Sequence, residues 1–247
     1  MRTTNPALGS ETFSNLEHAA EGEAMTIQGT VGKTAILMFL TLLTAGWTWF
    51  KFYKAGGDPA SVSSWMMLGV FGGFVLALVT IFKKEWAPAT APLYALAEGF
   101  FIGGVSALFE SKFPGIVIQA TSLTFGTLGA MLVAYRSGFI QVTDGFRMGV
   151  VAATGGIALV YFGAIILSFF GIPLSFINEG GFFGIAFSLF VVVIAALNLV
   201  LDFDIIEQGT HYNLPKYMEW YCGFALMVTL IWLYIEFLRL LSKARNR

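Results

Sequence analysis

The sequence predicts an all-α, polytopic membrane protein, a bundle of seven transmembrane helices with very little mass outside the bilayer. Two observations carry this. Hydrophobic residues make up 57% of the 247 positions and charged residues only 12%, where soluble domains average about 25% charged. Seven apolar stretches also approach the roughly 20 residues that a helix rising about 1.5 Å per residue needs to cross a hydrocarbon core about 30 Å thick. The stretches are long and continuous, which argues against the short alternating strands of a β-barrel.

Residues 1–33 read as a polar N-terminal arm, and residues 34–243 as the transmembrane domain. The arm carries Glu11, Glu17, Glu21 and Glu23 and no early apolar core, so it lacks the makings of a signal peptide. Met25-Thr26-Ile27-Gln28 starts an interfacial turn. The spans fall at 34–53, 64–82, 91–109, 115–135, 148–170, 182–201 and 221–241. Helix-breaking or polar residues separate them: Gly56-Gly57-Asp58-Pro59, Lys83-Lys84-Glu85, Phe113-Pro114-Gly115, Asp144-Gly145, Gly171-Ile172-Pro173 and Asn213-Leu214-Pro215. No connection has room for a soluble catalytic domain.

Inside the spans, Gly69/Gly73, Gly99/Gly103, Gly145/Gly149 and Gly180/Gly184 repeat at four-residue spacing. Small residues so spaced let helix backbones approach closely within one chain. Basic residues favour a cytoplasmic N-terminus: Arg2, Lys33, Lys83, Lys84, Arg136, Arg147 and Lys216 fall inside, against Lys51, Lys54 and Lys112 outside. The tail, with Arg239, Lys243, Arg245 and Arg247, evens the count if the last helix crosses fully.

A net charge of −1 provides no field for nucleic acid, and Cys222, the one cysteine, forms no intrachain disulfide. His18 and His211 stand apart, with no zinc-type ligand spacing. No G-x-S-x-G, H-E-x-x-H, P-loop or G-x-G-x-x-G is present. The reading is therefore a non-enzyme without a cofactor.

Chemistry should lie with ionisable groups at membrane depth, each costing roughly 2.5–3.5 kcal/mol or more at a helix centre. The densest cluster ends the sixth span, with Asn198, Asp202, Asp204 and Glu207. Asn198 and Asp202 share a helix face, while Asp204 and Glu207 are three residues apart. Two of these acids could share a proton or a hard cation, and Asp202 with Asp204 suits calcium. The bland alternative is that they mark a helix end among the headgroups. Glu98, inside the third span, is a second candidate, open to either an ion pathway or an interhelical hydrogen bond. Glu236 and Arg239 read as a local pair, Arg239 reaching the interface by snorkelling.

Leu201-Asp202-Phe203-Asp204-Ile205-Ile206-Glu207, then Trp220-Tyr221-Cys222 and a last helix ending Glu236-Phe237-Leu238-Arg239-Leu240-Leu241, resemble the bacterial branch of the Bax-inhibitor family, the transmembrane Bax-inhibitor-motif proteins. The likeness spans about residues 30–243. It implies seven helices with the last one central. It implies a pH-sensitive calcium leak in a bacterial cytoplasmic membrane, with calcium as permeant ion. The alternative it implies is a non-conducting regulator of a membrane-bound protease or stress response. The family's proposed gate is a proton-sharing aspartate pair. By position its helix-six member is Asp202, while the helix-seven position holds Thr229. Lys83 matches the basic residue after helix two. The second carboxylate is thus missing, leaving Asp204, Glu98, Lys83 or Thr229 as partners for Asp202.

Overall fold

The computed structural model describes residues 24–171 and 181–246. Seven long helices occupy them: α1 (Ile27–Lys54), α2 (Ala60–Phe82), α3 (Ala87–Lys112), α4 (Ile116–Arg136), α5 (Asp144–Phe169), α6 (Phe182–His211) and α7 (Met218–Arg245). Each is long and apolar enough to cross a membrane. The four arm acids and Gly180 lie outside the described residues.

Helix ends depart from the apolar stretches for local reasons. α1 starts at Ile27, inside the segment read as polar arm. Thr26, in extended backbone at φ −129° and ψ 153°, accepts a hydrogen bond from Gly29 N–H. A hydroxyl there satisfies one of the amides that a helix start leaves open. α6 runs on to His211, so Asp202, Asp204 and Glu207 lie within the helix. α5 begins on another threonine cap, Thr143 accepting from Phe146 N–H at 3.2 Å.

The chain divides into two compact units. One comprises Met1–Lys112 and Asp204–Val228, the other Phe113–Phe203 and Thr229–Arg247. In the first, α1 inverts the pattern of a soluble helix. Thr30, Thr34, Thr41 and Thr48 are buried, while Phe39, Leu42 and Phe50 are exposed. Lipid is as apolar as leucine, so close packing rather than hydrophobicity selects the inner face. The threonine hydroxyls return to carbonyls one turn back, as Thr34 Oγ1 does to Thr30 O at 2.9 Å. That leaves their small bodies free to pack.

Two of the glycine pairs serve as expected. A Cβ on Gly69 would lie 2.7 Å from Ala97 O, and one on Gly103 would meet the backbone of Ala45. Gly99 closes on Thr41 and Thr44. Gly145 and Gly149 are a correction to that reading: among the described residues, no atom of another helix lies within 4 Å of a Cβ at either position. Four-residue spacing identifies a smooth helix face but not whether a partner helix covers it. Burial also ranks the spans. Of the apolar stretch of each helix, 56% is buried in α6 and 44% in α7, against 11% in α5.

Candidate functional site

Within the second unit, polar side chains collect between α5, α6 and α7. On α7, Thr229, Trp232, Glu236, Arg239 and Lys243 recur every three or four residues, so they share one face. On α6, Gly184 and Ser188, and ten residues further on Asn198 and Asp202, form two four-residue pairs that fall on one face. α6 runs antiparallel to the other two, because its late residues meet early ones of α5 and α7 and its early residues meet late ones.

The first cluster holds Asp202. The Thr229 hydroxyl hydrogen-bonds its carboxylate. Oδ2 of Asp202 is buried and has no hydrogen-bond partner among the described residues. Asn198 Nδ2 donates to Thr154 Oγ1 of α5 and to Ile194 O, both at 2.8 Å. A buried polar atom left unmatched costs roughly 1–3 kcal/mol. Its retention in a helix otherwise rich in Val, Ile and Leu points to use.

A dry layer follows. Ile157, Val191 and Ile194 form a buried cluster, with Trp232, Leu197, Tyr161 and Phe187 packed against it.

The second cluster is centred on Glu236, two turns or roughly 10 Å along α7 from Thr229. Glu236 is 1% exposed. Tyr161 O–H donates to its Oε1 and Oε2 at 3.0 and 3.1 Å. Arg239 Nη1 donates to Oε1 at 3.1 Å. The guanidinium, 42% exposed, also lies 5.0 Å from the centre of the Tyr161 ring. Lys243 is buried, and its ammonium donates to Gly184 O at 3.1 Å and Ser188 Oγ at 2.7 Å. One carboxylate therefore stands on one side of an apolar layer, and a matched ion pair with a further cation on the other.

Of the residues singled out from sequence, Asp202 and Thr229 are brought together. Asp204 has a different partner, Gln208 Nε2 donating to its Oδ2 at 2.6 Å. Residues two apart on a helix point about 200° apart, so Asp202 and Asp204 do not face one another. Among the described residues no three His, Cys, Asp or Glu side chains come together to hold a metal ion. Glu207 is exposed, and its carbonyl accepts from Thr210 Oγ1 at 2.7 Å. Lys83 is exposed at the C-terminal end of α2. Glu98, half-buried on α3, lies so near α2 that a Cβ on Gly73 would be 2.9 Å from its Oε2.

Sequence reasoning missed four participants: Tyr161, Ser188, Lys243 and Glu219. The seven-residue spacing of Thr229, Glu236 and Lys243 was the available signal for Lys243. Glu219, in the first unit, is 1% exposed at the start of α7. Its Oε1 accepts from Thr26 N–H at 3.0 Å and from Thr26 Oγ1 at 3.1 Å. Gly29 sits against the same carboxylate. Met25 N–H donates to Leu214 O at 2.7 Å beside it.

Seven apolar helices with ionisable groups turned inward define a polytopic α-helical integral membrane protein. The chain belongs to the Bax inhibitor 1 like family, whose profile matches residues 5–246. No curated protein and no solved structure matched the chain.

Proposed function

We propose that the protein is a cation leak pathway, with calcium as the expected ion and Asp202 at its constriction. The observation that carries the reading is the buried Asp202 oxygen without a hydrogen-bond partner among the described residues, beside the Thr229 hydroxyl. An ionised carboxylate and a hydroxyl oxygen are the hard ligands that a dehydrating calcium ion takes. The Ile157–Val191–Ile194 layer closes the path, and movement of α5, α6 or α7 that wets it opens conduction. The proposed setting is the bacterial cytoplasmic membrane, which rests on likeness to the family's bacterial branch.

Reconstitution in liposomes with an entrapped calcium dye tests this. Flux should exceed that of empty vesicles and fall on acidification, because a protonated Asp202 no longer attracts a cation. Asp202→Asn should lower flux and flatten its pH dependence. Wild-type vesicles no leakier than empty ones, with copurification of a membrane protease, would assign the regulatory alternative instead.

A further inference from the structure

The Lys243 ammonium has the surroundings of a bound cation. It is buried, it donates to a backbone carbonyl and a hydroxyl of α6, and its charge is attracted by Glu236 and repelled by Arg239. Carbonyl and hydroxyl oxygens are the groups that replace the hydration shell of small monovalent cations in selective pores. Arg245, close by in sequence, is spent elsewhere: it donates to Pro114 O at 2.8 Å and Gln119 Oε1 at 2.9 Å. Snorkelling does not account for Lys243, since a snorkelling lysine keeps its head in water.

We propose that Lys243 is a tethered cation filling an oxygen-lined cation site, built from Gly184 O and Ser188 Oγ with Glu236 nearby, and that it blocks a permeant cation at that end of the α5–α6–α7 file. The blocking part rests on the leak reading above, and the site itself does not. A carbonyl, a hydroxyl and one carboxylate suit a weakly hydrated monovalent ion or an alkylammonium better than a divalent ion, which demands more charge.

Lys243→Ala removes the ammonium and leaves its oxygens. Flux in liposomes should rise about tenfold, the scale of relieving one close like-charge repulsion. Propylammonium, which replaces the lost side-chain carbons and nitrogen, should restore the low wild-type flux. Independently of flux, propylammonium should raise the melting temperature of Lys243→Ala in detergent and leave the wild type unchanged. A folded Lys243→Ala that neither leaks more nor responds to propylammonium overturns the proposal and leaves Lys243 as a bond between α6 and α7. Vesicles that stay tight in every variant, together with the propylammonium melting shift, retain the cation site and dispose of the leak reading alone. If Lys243→Ala does not fold, Ser188→Ala carries the test: one ligand is gone, so flux should rise, and a wild-type level overturns the proposal.

Discussion

α7 buries two glutamates to the same degree, Glu219 in the first unit and Glu236 in the second, each 1% exposed. Their partners differ in kind. Glu219 accepts from the backbone N–H and hydroxyl of Thr26, the residue that caps α1. Those donors are fixed by the helix start, and the positive end of the helix dipole adds to them. Glu236 accepts from a phenol and a guanidinium, and the guanidinium is 42% exposed. Those donors can turn away at modest cost. Equal burial therefore marks two roles. An acid held by a helix terminus pins the chain, and an acid held by side chains can exchange partners.

The contrast can be broken most sharply at Glu219. Glu219→Ala removes charged hydrogen bonds worth roughly 1.5–3 kcal/mol each. It should lower the melting temperature more than Gly29→Ala, Glu236→Gln or Tyr161→Phe, with flux per folded molecule unchanged. A flux change at constant stability would contradict the pinning role. Gly29→Ala attacks the same contact from the other side, because its Cβ would land on the Glu219 carboxylate. The overpacking should cost about 1–3 kcal/mol, measured by thermal unfolding in detergent.

Glu236→Gln should cost less, about 1 kcal/mol, because Arg239 reaches water. Its main effect should fall on flux and pH response. Protonating Glu236 leaves the charges of Arg239 and Lys243 uncompensated beside Tyr161, so acid should lower cation flux and the glutamine variant should start at that lower level. A Glu236→Gln profile that matches the wild type would make Glu236 a second fixture. Tyr161→Phe is the mildest change. It removes one phenol donor, about 1–1.5 kcal/mol at most, and should shift the pH profile in the same direction by less.

The sites were legible to different depths. Asp202 stood out because a carboxylate in an apolar run is costly wherever the helix packs. Its bond to Thr229 was one of several partners open to it, since spacing on a helix gives a face but not the neighbour across from it. Glu236 and Arg239 were legible as a pair, but not the burial of Glu236 or its Tyr161 partner 75 positions away. Glu219 was invisible: it sits at a span's polar edge, and its partner lies 193 positions away.

By itself the sequence determined that this chain crosses a membrane on seven helices and to which family it belongs. Crossing depends on unbroken apolar length, because backbone polar groups in lipid must be satisfied within their own helix. Tertiary structure alone decided which glycine faces are covered and which buried acids gain fixed or movable donors. Those outcomes depend on packing between distant segments, which leaves no periodic trace along the chain.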